Sequence, residues 1–348
     1  MSDDSLPGFR PMALHALLID ALAAPESAVP IMIWGAPGIG KSAIVRQAAA
    51  ACGVPVIDLR LSQLEPTDLR GIPVHEQGRV RWVPPDELPQ AERDGARGVL
   101  FLDEINAAPP PVAASAYQLI LDRRLGAYAL PPGWILVAAG NRLSDHGITF
   151  VMPAPLANRF MHLSLVVAVE QWLDWAQSAG IDQRIQAFVR AEPQWLSVFP
   201  ADADTVAFPS PRSWAFASRM LAAHEDWSDS AEALVAGCVG KQAAAALAQW
   251  VAGTGAVRRW LTDENAFPAG MPLEAQIEAS RAILSAVRAG SLSLAEALAL
   301  AERLPEPPLA FGLVEQLHEL AGDRLFDEPA FSAWVAARGD QLPPGMEG

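Results

Sequence analysis

Five short apolar runs recur in the first half of the chain, and helical patterns lie between several of them. The runs are Pro30–Trp34, Val54–Leu59, Gly98–Leu102, Trp134–Ala139 and Met161–Val166. Short continuous apolar runs are typical of strands that are buried on both faces of a parallel sheet. Because strands alternate with helices, the pattern predicts a three-layer α/β domain with a mainly parallel sheet over residues 1–167.

The strand signals end near residue 168, and the spacing of apolar positions becomes helical. The helical segments are Gln171–Ser178, Arg184–Arg190, Ser213–Ala223, Ala231–Val251, Leu273–Arg288 and Leu294–Leu304. They predict an all-α domain over residues 168–304. The proline-rich stretch 305–308 interrupts the pattern, and two further helices are expected in a C-terminal extension over residues 305–348.

Composition excludes several classes of protein. Half of the 348 residues are hydrophobic, so the chain can bury a large core, and the net charge of −15 argues against a sequence-independent grip on nucleic acid or on an anionic membrane. Two cysteines, Cys52 and Cys238, suggest no disulfide framework or zinc site. The acidic N-terminus lacks a signal-peptide pattern, and no run of eighteen uncharged apolar residues occurs. We therefore expect a soluble, cytoplasmic protein without membrane insertion.

A phosphate-binding pattern, G-x-x-x-x-G-K-S, follows the first apolar run and opens a helical segment. Its residues are Gly35, Ala36, Pro37, Gly38, Ile39, Gly40, Lys41 and Ser42. Glycines let backbone N–H groups cradle phosphate oxygens, and a helix N-terminus favours anions. Lys41, one of only two lysines in the chain, offers a compact charge to the β- and γ-phosphates. Ser42 offers a hydroxyl to Mg²⁺. The alternative is a structural turn.

Two acidic residues, Asp103 and Glu104, end the apolar strand Gly98–Leu102. A carboxylate beside a phosphate loop is suited to Mg²⁺, so Asp103 is the predicted metal residue together with Ser42. Glu104 is predicted to polarise the water that attacks the γ-phosphate, as a general base. An ordinary strand end followed by a solvated loop is the alternative.

Asn141 follows the next strand and is the predicted contact to the γ-phosphate or to the attacking water. Since Asn and Gly favour turns, a plain strand-end turn is the alternative. The ordered segments GAPGIGKS, VLFLDEIN, VAAGNR and PLANRF together resemble those of AAA+ ATPases. Within that class the chain resembles the MoxR branch, close to the dynein-related group.

Two insertions carry the closer resemblance to the MoxR branch. Residues 65–85 resemble a hairpin inserted in the second helix, and Gln77-Gly78 between alternating residues independently predicts a hairpin turn. Residues 123–134 resemble a second hairpin before the strand that precedes Asn141. Plain surface hairpins are the alternative for both.

The resemblance also assigns roles to side chains. It implies that Asn141 is the first sensor, that Arg159 is an arginine finger reaching a neighbouring subunit, and that Arg212 is the second sensor in a helical lid. Arg123 and Arg124 are rival candidates for the finger. The sequence departs from the MoxR pattern at two places. Gly140-Asn141-Arg142 stands where core relatives usually carry Gln-Asn-Pro, and Asn158 stands where many carry Asp.

By resemblance, the expected function is that of an ATP-hydrolysing homo-oligomeric ring, expected to be a hexamer, using ATP and Mg²⁺. Such rings act as chaperone-like remodellers or activators of a protein client, often with a partner that carries a von Willebrand factor A domain. A nucleic-acid-translocating motor of restriction or helicase type is the alternative. Arginines on the two hairpins favour it, and the acidic net charge opposes it. A third reading is a nucleotide-binding scaffold without turnover.

Overall fold

The computed structural model describes residues 6–76, 78–142, 152–200, 205–263, 265–268 and 270–338. The chain divides into two compact units. The α/β unit contains residues 1–172, 199–205 and 210–212. The helical unit contains residues 173–198, 206–209 and 213–348.

The described residues form ten strands and fifteen α-helices. The strands are β1 (Gly8–Phe9), β2 (Ile31–Trp34), β3 (Val56–Arg60), β4 (Ile72–Glu76), β5 (Arg79–Val83), β6 (Arg97–Asp103), β7 (Arg124–Leu125), β8 (Tyr128–Ala129), β9 (Gly133–Gly140) and β10 (Met161–Leu165). The helices are α1 (Pro11–Ala23), α2 (Lys41–Ala51), α3 (Pro66–Arg70), α4 (Ala91–Asp94), α5 (Pro110–Asp122), α6 (Ala154–Ala157), α7 (Val169–Ser178), α8 (Gln183–Ala191), α9 (Pro211–Leu221), α10 (Asp229–Val239), α11 (Lys241–Thr262), α12 (Leu273–Arg288), α13 (Leu294–Glu302), α14 (Pro307–Ala321) and α15 (Pro329–Arg338).

The predicted parallel sheet is confirmed. Six strands pair in the order β1-β10-β2-β9-β6-β3, and every pairing is parallel. Each of the five apolar runs forms one of these strands. The sheet is buried on both faces, which explains why the strands show continuous apolar runs and no alternation.

Alternate residues of each strand enter two separate apolar cores. On β9, Ile135 and Val137 pack with residues of α1 and α2, while Leu136 and Ala138 pack with residues of α5. This arrangement places helices on both sides of the sheet, as the alternating sequence pattern predicted.

Two antiparallel pairs occupy the regions where hairpins were predicted. Strands β4 and β5 pair from Ile72 with Val83 to Glu76 with Arg79, and the turn residue Gln77 lies outside the described residues. Strands β7 and β8 form the shorter pair before β9.

The helical unit contains a separate apolar core. Residues of α12, α13, α14 and α15 share this core, so helices on both sides of Pro305 pack together. Among the helices described here, none is long and apolar enough to cross a membrane.

One helix prediction is wrong in its extent. The segment Ala231–Val251 is not one helix, because α10 ends at Val239 and α11 begins at Lys241. Gly240 separates them with φ of +86°, and a Cβ atom there would lie 2.6 Å from the carbonyl oxygen of Ala207. The apolar periodicity continues across this break, which is why the sequence pattern did not reveal it.

Candidate nucleotide-binding site

The strand order brings three chemically distinct chain segments to one edge of the sheet. Strand β9 lies between β2 and β6, and the register pairs Trp34 with Gly140 and Leu102 with Ala138. Because the three strands are parallel, their carboxyl ends share one edge. The phosphate-loop pattern directly follows β2, Asn141 directly follows β9, and Asp103 ends β6 with Glu104 next to it.

Lys41 is the centre of this arrangement. It is the first residue of α2 and is only 9% exposed. Its Nζ donates to the carbonyl oxygens of Gly35 (2.6 Å) and Ala36 (3.0 Å) and to Asn141 Oδ1 (2.9 Å). The ammonium group is therefore held within the loop, beside the polar residue that follows the neighbouring strand.

The loop conformation depends on glycine. Gly38 has φ of +80°, which L side chains rarely adopt, and an added Cβ would lie 2.7 Å from Ser210 Oγ. The loop leads through Gly40 into the N-terminus of α2, which is eleven residues long. The backbone N–H groups at this end lack partners within the helix, so they favour an anion such as a phosphate group.

Ser42 and Asp103 form the pair that could hold a metal ion. Ser42 Oγ donates to Asp103 Oδ2 over 2.9 Å, although 61 residues separate them in the sequence. A hydroxyl and a carboxylate are oxygen ligands of the kind that Mg²⁺ accepts, and Mg²⁺ usually takes its remaining ligands from phosphates and water. The donor set therefore fits a magnesium ion carried with a nucleotide.

Glu104 has a partner different from that of Asp103. Its backbone takes the left-handed conformation with φ of +56°, which costs a non-glycine residue about 1–2 kcal/mol. Its N–H donates to Asp103 Oδ1 over 2.9 Å, while its own Oε2 accepts a hydrogen bond from Ser62 Oγ. The two adjacent carboxylates thus have different side-chain partners, Ser42 for Asp103 and Ser62 for Glu104.

Ser62 was missed by the sequence analysis. The register pairs Arg60, the last residue of β3, with Asp103 at the end of β6. Ser62 and Glu104 follow these two strand ends, so they meet at the same edge of the sheet. A polar residue just after an apolar strand was the available signal, but the pairing of β3 with β6 was needed to interpret it.

If the site hydrolyses ATP, as the sequence resemblance implies, replacing Ser62 with alanine is expected to lower kcat roughly tenfold, because a hydrogen bond to a charged group would be lost. The carboxylate of Glu104 would lose its orientation, whereas the phosphate loop would be unchanged, so the KM for ATP should stay near that of the parent. Steady-state phosphate release measures both parameters. Ser62→Thr retains the hydroxyl and is the matched control. Equal rates for the alanine variant and the parent would contradict the assigned role.

A second residue missed by the sequence analysis is Asn106. This side chain is 6% exposed, and its Nδ2 donates to the backbone carbonyl of Asn141 over 2.7 Å. Asn141 is therefore fixed through its backbone by Asn106 and through its side chain by Lys41. An amide between Ile105 and Ala107 was the signal that the sequence offered.

Arg159 and Arg212 lie in different settings. Arg159 is exposed, two residues after α6, and its side chain makes no hydrogen bond or ion pair with the part of the chain that the structure describes. Arg212 is also exposed, but its backbone N–H donates to the carbonyl oxygen of Gly38 over 3.1 Å. The structure therefore brings the backbone of Arg212 to the loop and leaves Arg159 facing solvent.

The rival finger candidate Arg123 is used within its own chain. Its Nη2 donates to the carbonyl oxygens of Pro131 (3.1 Å) and Trp134 (2.6 Å), and burial lowers the pKa of its guanidinium from the usual value. These bonds close the β7–β8 hairpin onto the start of β9. Arg124 is exposed on β7.

Comparisons with known proteins match the part of the chain that contains this site. An AAA domain of the dynein-related subfamily matches residues 30–160, which begin just before β2 and end just after Arg159. The chain is 30% identical over 159 residues to midasin from Giardia intestinalis, an alignment that covers 43% of this chain and 3% of midasin. It is 32% identical over 154 residues to protein MoxR from Paracoccus denitrificans, covering 42% of this chain and 43% of MoxR.

A third relative is protein NorQ from Paracoccus denitrificans (strain Pd 1222). The identity is 29% over 147 residues, which covers 39% of this chain and 51% of NorQ. The chain thus spans about half the length of MoxR and of NorQ, and a small part of midasin. Residues 30–160 match an AAA domain of the dynein-related subfamily, and the resemblance to MoxR-like AAA+ proteins is confirmed.

Proposed function

We propose that this protein binds ATP with Mg²⁺ at the edge of the sheet and hydrolyses it. The observation that carries the proposal is the contact of Lys41 Nζ with Asn141 Oδ1, beside the contact of Ser42 Oγ with Asp103 Oδ2. These bonds join the phosphate loop to the ends of two other strands. A phosphate group at the N-terminus of α2 would lie beside a cation, a metal-binding pair and a carboxylate.

Each residue of the site has a role in this proposal. The loop amides and Lys41 hold the phosphates, and Ser42 with Asp103 would hold Mg²⁺, which supplies positive charge to the β- and γ-phosphate oxygens. The Glu104 carboxylate accepts a proton from water as the water oxygen attacks the γ-phosphorus. The bond from that phosphorus to the bridging oxygen breaks, and ADP leaves with the electron pair. Asn141 orients the γ-phosphate or the water.

We further propose that the active form is a homo-oligomeric ring, a hexamer by analogy, in which Arg159 of one subunit completes the site of the next. The exposure of Arg159 supports this assignment, because a guanidinium that faces solvent is available to a neighbouring subunit. Arg212 is proposed to act as the second sensor, since its backbone lies against the phosphate loop. The lid role of the helical unit also belongs to this proposal.

The client is proposed to be a protein or complex that the ring remodels or activates, with a von Willebrand factor A domain protein as partner. This part of the proposal rests on the similarity to MoxR and NorQ. Nucleic-acid translocation is the competing function, and exposed Arg79 and Arg81 on β5 are the observation in its favour.

Replacing Lys41 with alanine tests nucleotide binding directly. We expect ATP affinity to fall roughly tenfold to a hundredfold, because charge-assisted hydrogen bonds to the phosphates are lost. Equilibrium binding of ATP measures the change. The only other lysine, Lys241, is exposed at the start of α11, so Lys241→Ala is a matched control that should bind as the parent does. Unchanged affinity in the Lys41 variant would overturn the site.

The hydrolysis rate of the unmodified protein, measured with and without DNA or RNA, separates the two functions. A remodelling ATPase should respond little to nucleic acid. Strong stimulation that weakens as salt is added would favour the translocating motor instead.

A further inference from the structure

A histidine connects the phosphate-loop strand to the turn that carries Arg159. Trp34, the last residue of β2, donates from Nε1 to His162 Nδ1 over 2.9 Å. His162 lies on the adjacent strand β10, and its Nε2 lies 2.7 Å from the carbonyl oxygen of Ala157. Ala157 ends α6 and precedes Arg159 by two residues. The three residues form a continuous bridge within the α/β unit.

The chemistry of the two outer partners fixes the state of the imidazole. An indole N–H only donates and a backbone carbonyl only accepts, so Nδ1 must accept and Nε2 must carry the proton. The ring is therefore the neutral tautomer protonated at Nε2. Both of its nitrogens are used, one toward β2 and one toward α6, so the ring joins the two elements.

Aromatic contacts hold the same ring in place. The imidazole and the Trp34 indole lie nearly parallel, with centroids 6.0 Å apart and an interplanar angle of 12°, as the hydrogen bond between their ring nitrogens requires. Phe160 meets it edge-on at 6.1 Å and 62°. Phe160 directly follows Arg159 and is 8% exposed, so the residue after the exposed arginine is packed against the histidine. His162 thus contacts the turn both before Arg159, at Ala157, and after it, at Phe160.

The turn needs such support. Helix α6 has four residues, and a helix this short has no stability of its own in water. Its position therefore depends on tertiary contacts, and those among the described residues include the buried Leu156, the buried Phe160 and the bond from His162 to Ala157. The His162 bond links the turn, through Trp34, to the last residue of the strand that leads into the phosphate loop.

We propose that His162, anchored by Trp34, is a positioning residue for the arginine finger. It ties the turn that presents Arg159 to the strand that feeds the phosphate loop of the same subunit. The inference rests on the proposed function, since it requires that Arg159 acts on a neighbouring subunit. The proposed role is in donating the finger, so the proposal requires that the subunit's own ATP site works without it.

Mixed oligomers test this inference. An acceptor subunit with Arg159→Ala keeps an intact site but lacks the finger, and a donor subunit with Lys41→Ala keeps the finger but lacks a working site. Mixing the two should restore hydrolysis. Adding His162→Phe to the donor should reduce the restored rate roughly tenfold to a hundredfold, because small displacements of a catalytic group are costly. Adding the same change to the acceptor should leave the restored rate unchanged.

Two further variants of the donor subunit test the two hydrogen bonds of His162 separately. His162→Gln retains a side-chain N–H for the Ala157 carbonyl, so it should recover part of the lost rate. Trp34→Phe retains an aromatic ring but removes the N–H, so it should weaken the donor in the same direction as His162→Phe. An unchanged Trp34→Phe donor would contradict the anchoring of His162 by Trp34.

The outcomes separate the inference from the function on which it rests. If the simple Lys41→Ala donor restores nothing, the finger does not act between subunits, and the proposed ring mechanism fails together with the inference. If that donor works and the His162→Phe donor works equally well, only the inference is overturned. An equal loss when His162→Phe is in the acceptor would show a general structural role and would also overturn it.

Discussion

Glu104→Gln is expected to lower kcat for ATP hydrolysis roughly 10²- to 10⁴-fold, the usual range for loss of a general base. An amide cannot accept the proton that leaves the attacking water. The shape of the side chain is retained, and its Oε1 can still accept the hydrogen bond that Ser62 donates to Glu104. ATP affinity should therefore remain near that of the parent. Phosphate release at saturating ATP and equilibrium binding of ATP measure the two effects.

A matched acidic residue controls for the loss of one negative charge. Glu92 is exposed on α4 in the same unit, so Glu92→Gln should hydrolyse ATP at the parent rate. Parent-like turnover in the Glu104 variant would show that another group accepts the proton. Loss of ATP binding in that variant would mean instead that Glu104 holds the nucleotide.

Arg159→Ala is expected to reduce kcat roughly 10³- to 10⁵-fold, the range for removal of an arginine finger. The guanidinium would stabilise the charge that spreads over the γ-phosphate oxygens in the transition state. ATP binding should change much less than turnover, since Lys41 and the loop remain. The comparison of kcat with the equilibrium affinity for ATP is the measurement.

Arg124→Ala is the control that decides between the finger candidates. Arg124 is exposed, as Arg159 is, whereas Arg123 donates to two carbonyl oxygens of its own chain. We expect Arg124→Ala to keep most of the parent rate. The opposite pattern, with Arg159→Ala active and Arg124→Ala inactive, would move the finger to the second hairpin.

The strands were predictable because burial in a parallel sheet selects continuous apolar residues. Each of the five runs became a strand within a few residues of its expected ends. The helix break at Gly240 was not predictable from periodicity, because apolar residues continue on both sides of it. The conformation of that glycine and its approach to the Ala207 carbonyl are tertiary features.

The candidate site likewise has one part that the sequence predicts and one part that depends on tertiary contacts. The eight residues from Gly35 to Ser42 form a local motif, whose geometry follows from nearby backbone conformations. Ser62 and Asn106 belong to the site through bonds to Glu104 and Asn141, 42 and 35 residues away along the chain. Such contacts depend on which strands are neighbours, and sequence spacing carries no direct record of strand order.

An α/β domain with a phosphate-binding loop, two acids after an apolar strand and a helical region that follows could therefore be inferred from the amino-acid sequence. Its short-range patterns suffice because strand burial, loop conformation and helix propensity are local properties. The contacts of Lys41 with Asn141, of Ser62 with Glu104, and of His162 with Trp34 and the turn before Arg159 were visible only in the folded chain. Those pairings arise from the parallel register of the sheet, which brings the ends of distant segments to one edge.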